Sequence, residues 1–290
     1  PPQYNGLKLM LGELPVLPED IQTVRKLAES GDFPQVRGTV REMDTTAAYM
    51  DMLRAVHPAP LRPLRVVVDA GNGAMSGIAP RVLSAMKLQV VPLFCSYDGT
   101  FPNRGPNPAV QKNLEPLCRK VREEHADFGA AFDGDGDRVI FVDGDGVPLM
   151  AEEAMGIFSR HLLRPGESVV YDLKCSSILR TAVLEAGGIP IMERSGHAFI
   201  RRHFLEAGSR MAGEVSGHHF FRELGGDDGL FALVMMASIL SDTGKSLRQL
   251  LEGVRYTAIT PDIRVQAAPE EISRRFAAAE NWAKEEKLTP

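Results

Sequence analysis

The chain has 290 residues with 33 basic and 38 acidic side chains, which gives a formal net charge of −5. This mildly acidic balance lacks the basic face that nucleic acid requires, so we expect no nucleic-acid partner. A hydrophobic share of 44% with 24% charged residues is typical of a globular protein. The uncharged stretch 229–241 is shorter than the roughly 20 apolar residues of a membrane span. It predicts a buried helix, and no membrane partner is expected.

The cysteines and the two ends of the chain bear on where the protein works. Its three cysteines, Cys95, Cys118 and Cys175, lie far apart and form neither a disulfide framework nor a metal motif. Free thiols of this kind are typical of a reducing cytoplasm. The chain opens without a basic stretch or an apolar signal core, and it closes on a charged helical run at 270–287. We therefore expect a central piece of a longer cytoplasmic protein.

Short β-branched runs alternate with stretches of helical spacing from Leu64 onward. The predicted strands cover 65–69, 89–94, 128–132, 139–142, 168–173, 189–193 and 211–215. The predicted helices cover 78–87, 114–125, 151–163, 177–186 and 198–207. This alternation is typical of βαβ units and mainly parallel mixed sheets. It predicts an α/β protein with consecutive domains at 46–147 and 148–265. Residues 1–45 are then the tail of an earlier domain, and residues 266–290 lead into a later one.

Side chains able to do chemistry follow the ends of these predicted strands. They are the run Asp-Gly-Asp-Gly-Asp-Arg at 133–138, then Lys174, His197, Glu214, Ser216 and His218. Ligands of open α/β sheets bind beyond the carboxyl ends of the strands. We therefore expect carboxylates, a lysine and two histidines to converge on one edge of the fold.

The acidic run is the most specific of these signals. Asp133, Asp135 and Asp137 are separated by glycines, which places three carboxylates on one side of an extended loop. Such a cluster repels itself unless it binds a cation, and all-oxygen ligands favour a hard ion such as Mg²⁺. A calcium loop of the EF-hand type would need Gly and Glu where this chain has Arg138 and Gly144. The remaining alternative is an acidic turn between two strands.

A glycine-rich turn raises a second possibility. Gly71, Gly73 and Gly77 follow a strand and open a helix, as in a dinucleotide-binding loop. The third glycine comes one position late for that motif, so a backbone turn is the favoured interpretation. A dinucleotide-dependent oxidoreductase would rest on this turn alone, and failure to bind NAD would exclude it.

Several single residues allow two interpretations each. Lys174 precedes a helix start, which suits a phosphate or a sugar oxygen, but a solvated surface lysine fits equally well. His197 and His218 are candidate general acid–base groups or hydrogen-bonded helix starts. Asp227 and Asp228 stand where a helix N-cap is expected, and capping is the favoured role for both.

Three motifs together resemble one family. The run at 133–138 resembles the metal loop of the α-D-phosphohexomutases, the phosphomannomutase/phosphoglucomutase superfamily. Residues 213–218, Gly-Glu-Val-Ser-Gly-His, resemble that family's sugar-specificity loop. Residues 1–8, Pro-Pro-Gln-Tyr-Asn-Gly-Leu-Lys, resemble the segment directly after its phosphoserine loop. The resemblance implies a phosphohexomutase-like fold whose first domain is truncated and whose last domain is largely missing.

The resemblance also implies a reaction and a set of roles. The implied enzyme is a Mg²⁺-dependent mutase that interconverts hexose 1-phosphate and hexose 6-phosphate, of mannose or glucose. It would work through a phosphoserine and a hexose 1,6-bisphosphate. The implied metal ligands are Asp133, Asp135 and Asp137. The implied catalytic residues are Lys8, Arg138, His197 and His218. The implied substrate-binding residues are Lys174, His197, Glu214, Ser216 and His218.

One departure from the family pattern leaves an alternative open. The phosphoserine is not in these 290 residues and is expected just before Pro1, so we expect the chain alone to be inactive. The alternative is a non-catalytic module that binds Mg²⁺ and a sugar phosphate. Restoring the upstream segment would separate the two, because activity should then appear. Val215 in the sugar loop favours mannose and glucose over glucosamine.

Overall fold

The structure is a computed structural model that describes residues 7–33, 36–57, 59–254 and 266–286. The chain divides into two units, residues 1–257 and residues 258–290. Of the segment 1–8, which carries one of the three motifs, only Leu7 and Lys8 are among the described residues. Both sheets that surround the predicted site belong to the first unit.

The first unit begins with a small hairpin and two helices. The elements are β1 (Met10–Leu11), β2 (Leu14–Pro15), α1 (Pro18–Ser30) and α2 (Thr46–Ala55). Strands β1 and β2 pair antiparallel. Helix α1 has no buried residue, whereas α2 buries Leu53. These elements lie in the stretch assigned above to the tail of an earlier domain.

The first sheet uses residues 65–143. Its strands are β3 (Arg65–Asp69), β4 (Gln89–Leu93), β5 (Phe128–Phe132) and β6 (Val139–Asp143), and its helices are α3 (Met75–Ala85) and α4 (Gln111–Glu123). The strand order is β4-β3-β5-β6, with β3 parallel to both its neighbours and β6 antiparallel to β5. Val66, Val67 and Val68 of β3 are fully buried. A central strand covered on both faces explains this unbroken apolar run.

The second sheet uses residues 168–227, after helix α5 (Ala151–Leu162). Its elements are β7 (Ser168–Asp172), α6 (Ser177–Glu185), β8 (Ile189–Glu193), α7 (His197–Glu206), β9 (Met211–Gly213), β10 (His219–Phe221) and β11 (Gly226–Asp227). The order is β11-β10-β9-β7-β8. Strand β7 is parallel to β8 and β9, and the hairpin strands β10 and β11 extend the sheet antiparallel. The carboxyl ends of β7, β8 and β9 therefore share one edge.

An apolar helix joins the two sheets through one core. Helix α8 (Gly229–Thr243) buries every residue from its start to Leu240, and the short α9 (Leu247–Leu250) follows it. A single cluster of buried side chains contains Phe128 of the first sheet, Phe221 of the second and Leu233 of α8. Burial on all sides explains why the stretch at 229–241 carries no charge.

In the second unit, residues 266–286 are described, and they contain one helix, α10 (Pro269–Glu285), in which no residue is buried. In the described part of the chain, no helix combines the length and the apolar character that crossing a bilayer requires.

The predicted α/β class with mainly parallel mixed sheets is confirmed. Each of the seven predicted strands and five predicted helices has a counterpart, with ends that differ by a few residues. The strand predicted at 211–215 ends at Gly213, and Glu214 and Val215 lie in the loop that follows it. The strands β1, β2, β10 and β11, the helices before residue 56 and the short α9 were not predicted. The domain boundaries at 147 and 265 stay a prediction.

Candidate functional site

The acidic run forms a closed loop between β5 and β6. Asp133 Oδ1 accepts hydrogen bonds from the backbone amides of Gly136 at 2.8 Å and Arg138 at 3.2 Å. Arg138 Nε donates to Asp133 Oδ2 at 2.8 Å. Gly136 has a φ of +89°, and a Cβ there would overlap the side chain of Met75. The loop therefore needs glycine at this position, and it brings ligand oxygens of Asp133, Asp135 and Asp137 within 4.8 Å of one another.

The electrostatics of this loop favour a cation. Burial and the neighbouring Asp137 carboxylate raise the pKa of Asp133 to about 6, despite the Arg138 charge. Lys8 Nζ contacts Asp137 and lies 3.5 Å from Asp135 Oδ2. Burial works to lower the pKa of Lys8, but the hydrogen bond to Asp137 and the acidic charges raise it overall. Three carboxylates from one loop, all oxygen donors, fit Mg²⁺.

The glycine turn after β3 supports the acidic loop. The amide of Ala74 donates to the carbonyl of Gly134 at 2.9 Å. A Cβ on Gly73 would lie 2.6 Å from the same carbonyl oxygen, so only glycine lets the two backbones approach. Gly71, with a φ of +52°, faces the guanidinium of Arg104. The side of the turn at Gly71 is therefore occupied by the Arg104 side chain.

The buried side chain of Arg104 binds the backbone at the start of the acidic loop. Its Nε donates to Asp69 Oδ2 at 2.7 Å, and one of its terminal nitrogens donates to the Phe132 carbonyl at 2.7 Å. The side chains of Arg104 and Asp69 are 2% and 0% exposed. Phe132 directly precedes Asp133, so this buried pair fixes the point where the acidic run leaves β5. Sequence reasoning missed Arg104, because a single arginine in a loop rich in Pro, Gly and Asn carries no signal of burial.

Two histidines and an aspartate form a second cluster beside the acidic loop. His218 Nδ1 lies 2.6 Å from Asp227 Oδ2, and His197 Nε2 lies 3.0 and 3.1 Å from the two Asp227 oxygens. The two imidazole centroids are 4.9 Å apart. His218 Nδ1 is also 3.8 Å from Asp137 Oδ1. Ligand atoms of Asp137, His197, His218 and Asp227 thus lie within 4.8 Å of one another, which joins the two clusters.

Backbone pairing holds the loop at residues 213–218 against the acidic loop at residues 133–138. Arg138 and His218 form an antiparallel bridge, and the amide of Val139 donates to the Gly217 carbonyl at 3.1 Å. Gly217 has a φ of +97°, and a Cβ there would lie 3.0 Å from the Val139 carbonyl. These contacts explain why the loop at 213–218 carries glycine before His218. They place residues from two sheets at one site.

Charge and burial oppose each other in the histidine cluster. Burial works to raise the pKa of Asp227, but hydrogen bonds with His197 and His218 hold it well below its usual range. Burial works to lower the pKa of His218, but Asp227, Asp137 and Glu214 raise it overall. Burial raises the pKa of Glu214, against the opposing charges of His218 and His197. His218 and Glu214 therefore hold their protons to a higher pH than usual, whereas Asp227 stays ionised, and all three groups are largely buried from water.

The remaining predicted substrate residues differ in how close they come to this network. Glu214 is buried, accepts from the Gly196 amide at 3.2 Å and lies 3.8 Å from His218 Nε2. The hydroxyl of Ser216 is buried and has no hydrogen-bond partner among the described residues. Lys174 is exposed beyond β7, and within the described ranges its ammonium makes no hydrogen bond to the cluster.

The placement of Asp227 differs from the sequence interpretation. Asp228 is the N-cap of α8 and accepts from the Phe231 amide at 2.8 Å, as expected. Its carboxylate also accepts from the Tyr49 hydroxyl at 2.8 Å. Asp227 does not cap the helix and instead contacts His197 and His218. In extended backbone successive side chains point to opposite sides, so the pair Asp227–Asp228 cannot share one role.

Comparison with known proteins supplies the family. A family model for phosphoglucomutase/phosphomannomutase, alpha/beta/alpha domain II, matches residues 47–146, and the model for domain III matches residues 149–256. The chain belongs to the phosphoglucomutase/phosphomannomutase family. It is a member of the α-D-phosphohexomutase superfamily that the three motifs resembled.

Individual members of this phosphoglucomutase/phosphomannomutase family match over most of the chain. A phosphomannomutase/phosphoglucomutase of Pseudomonas aeruginosa is 35% identical over 269 residues, covering 91% of this chain and 58% of that protein. A phosphoglucomutase of Neisseria meningitidis is 36% identical over 276 residues, covering 93% and 59%. A crystal structure of a family protein from Burkholderia thailandensis matches with a TM-score of 0.85 at 36% identity, covering 90% and 57%. The chain thus spans less than two thirds of the length of these relatives.

Proposed function

We propose that the protein containing this chain is a phosphohexose mutase, which interconverts the 1-phosphate and the 6-phosphate of mannose and glucose. The observation that carries the proposal is the junction of the two clusters, where His218 Nδ1 lies 3.8 Å from Asp137 Oδ1. A cation site, a proton-transfer group and a sugar loop meet there. The name of the relative from Pseudomonas aeruginosa supports both sugars, and that of the relative from Neisseria meningitidis supports glucose.

The proposed reaction has two phosphoryl transfers. A phosphoserine upstream of Pro1 gives its phosphoryl group to the free hydroxyl of the hexose phosphate, which forms the 1,6-bisphosphate. The bisphosphate turns around, and the serine recovers the other phosphoryl group. Such transfers depend mainly on positioning and on positive charge aimed at the moving group. Held by Asp133, Asp135 and Asp137, Mg²⁺ would neutralise charge on that group.

The residues of this chain account for the protons. In the first transfer the sugar oxygen bonds to phosphorus, and its proton passes to His218. The bond to the serine oxygen breaks with its electron pair, and that oxygen takes a proton from the Lys8 ammonium. In the second transfer Lys8 recovers the serine proton and His218 returns its proton to the departing sugar oxygen. The guanidinium of Arg138, fixed by Asp133, offers charge to the transferring group.

The sugar loop is the proposed source of substrate recognition. The buried Glu214 carboxylate and the unpartnered Ser216 hydroxyl suit the 3- and 4-hydroxyls of a hexose. His197 and Lys174 are proposed to contact the sugar. Lys174 is exposed beyond the end of β7, so its contact requires that the bound substrate extends to that end of the strand. The three free cysteines favour a cytoplasmic location, which we also propose.

The test is a coupled assay on the full-length protein, with mannose 1-phosphate or glucose 1-phosphate, Mg²⁺ and a trace of hexose 1,6-bisphosphate. We expect hexose 6-phosphate to form and chelation of the metal to stop it. Asp135→Asn should weaken Mg²⁺ binding, measured by calorimetry, by at least about tenfold and lower activity with it. Asp145→Asn is the matched control, because Asp145 is an exposed acid in the neighbouring hairpin turn. Absence of turnover by the full-length protein would refute the proposal and leave a binding module.

A further inference from the structure

One carboxylate faces both histidines of the site. Asp227 Oδ2 lies 2.6 Å from His218 Nδ1 and 3.0 Å from His197 Nε2, and Oδ1 is 3.1 Å from His197 Nε2. The Asp227 side chain is only 7% exposed, so water competes little for these hydrogen bonds. The aspartate thus contacts a different ring nitrogen in each histidine.

The chemistry of a carboxylate decides which nitrogen of each ring carries the proton. An ionised carboxylate only accepts hydrogen bonds, so each ring nitrogen that faces it must donate. Neutral His218 is then protonated on Nδ1, and neutral His197 on Nε2. The nitrogens left as acceptors are His218 Nε2 and His197 Nδ1. Of these, His218 Nε2 is on the side of the loop at 213–218, and the Glu214 Oε2 atom at 3.8 Å is too far away to form a hydrogen bond that would fix a proton on it.

The fold holds Asp227 firmly in this place. In β11 it pairs with Phe220 of β10, which fixes the height of its side chain along the strand. The next residue, Asp228, caps α8 and is bound by the Tyr49 hydroxyl. The strand pairing on one side and the helix cap on the other constrain the backbone at Asp227, and from there its carboxylate contacts the two rings.

We propose that Asp227 is a positioning residue, which imposes opposite tautomers on His197 and His218 and so leaves His218 Nε2 free to accept the sugar proton. The catalytic part of this inference rests on the proposed mutase function. The tautomeric part does not, since it follows from the hydrogen bonds alone. An asparagine with its oxygen in the place of Oδ2 would set its NH2 group in the place of Oδ1, which lies 3.1 Å from His197 Nε2, so two donors would face each other there unless His197 changes tautomer.

The test compares Asp227→Asn with Asp228→Asn in the full-length protein. Asp228 is the adjacent half-buried acid, and asparagine remains a good N-cap, so this control keeps the local fold. We expect Asp227→Asn to lower kcat by at least about tenfold, within the range that acid–base groups contribute, while KM stays within about threefold. We expect Asp228→Asn to leave kcat unchanged. A loss confined to KM, or an equal loss in both variants, would overturn the proposal.

A second measurement gives its decisive result on the wild-type protein alone. Nitrogen-15 NMR at alkaline pH reports which ring nitrogen carries the proton in each neutral histidine. In the wild-type protein we expect the proton on Nδ1 of His218 and on Nε2 of His197. In Asp227→Asn we expect at least one ring to change tautomer. A His218 proton on Nε2 in the wild-type protein would overturn the proposal directly. A protein with the expected tautomers but no mutase activity would refute the proposed function and uphold the tautomeric role.

Discussion

Removing the buried arginine beneath the acidic loop should destabilise the protein strongly. In Arg104→Met the Asp69 carboxylate, which is 0% exposed, loses the guanidinium at 2.7 Å. The carbonyls of Phe132 and Gly105 lose a donor as well. Taking one partner from a buried ion pair costs about 3–5 kcal/mol, because the other charge stays buried and unpaired. We expect the free energy of unfolding to fall by about that amount.

The loss should depend on pH in a defined direction. Burial raises the pKa of Asp69, and the Arg104 charge opposes that effect. Without Arg104 the pKa of Asp69 rises further in the folded state. A carboxyl whose pKa is raised by folding destabilises the protein as the pH rises through that raised value. The destabilisation by Arg104→Met should therefore be largest near neutral pH and shrink toward pH 4.

Urea unfolding of the wild type and the variant at several pH values measures both effects. Arg202→Met is the control, because Arg202 forms an exposed pair with Glu206. We expect that control to change stability little at any pH. A deficit for Arg104→Met below about 1 kcal/mol, in the range of a surface pair, would refute the buried-pair reasoning. So would a deficit of the same size at pH 4 and pH 7.

Two further predictions concern backbone contact and a buried histidine. Gly73→Ala places a Cβ 2.6 Å from the Gly134 carbonyl, and we expect it to cost about 1–3 kcal/mol in unfolding experiments and to weaken Mg²⁺ binding. Gly99→Ala, where a Cβ meets nothing within 4 Å, is its control, and equal effects would contradict the prediction. Burial lowers the pKa of His219 to about 4, so the wild type should lose up to about 3 kcal/mol of stability as the pH falls from 6.5 toward 4. His219→Phe should lose markedly less over that range, and an unchanged pH dependence would show that His219 is not its source.

The parts of the fold that the sequence predicted are those with a strong local signal. The valines of β3 and the uncharged stretch of α8 are apolar because their surroundings bury them on all sides. Their apolar patterns therefore predict a buried strand and a buried helix. Strands β10 and β11 are short, with three residues and two, and they exist through pairing with β9 and with each other. No periodicity can be recognised in runs of that length.

In the site, too, the features with a strong local sequence signal were predicted and those that depend on distant contacts were not. Asp133, Asp135 and Asp137 follow a strong strand at regular spacing, so their meeting on one side of a loop was predictable. The role of Asp227 was not, because its contact with His218 depends on the turn between β10 and β11. Arg104 reaches Asp69 across a loop of the first sheet, and nothing in its neighbours indicates burial. Lys174 had two equal interpretations, and its exposed position agrees with either until a substrate is bound.

The most direct measurement of the central claim follows the phosphoryl group itself. The full-length protein is given glucose 1-phosphate carrying a radioactive phosphate, together with Mg²⁺ and unlabelled glucose 1,6-bisphosphate. The account predicts that glucose 6-phosphate forms and that the label passes to a serine of the protein during turnover. Formation of glucose 6-phosphate while the protein stays unlabelled, or no product at all, would contradict it.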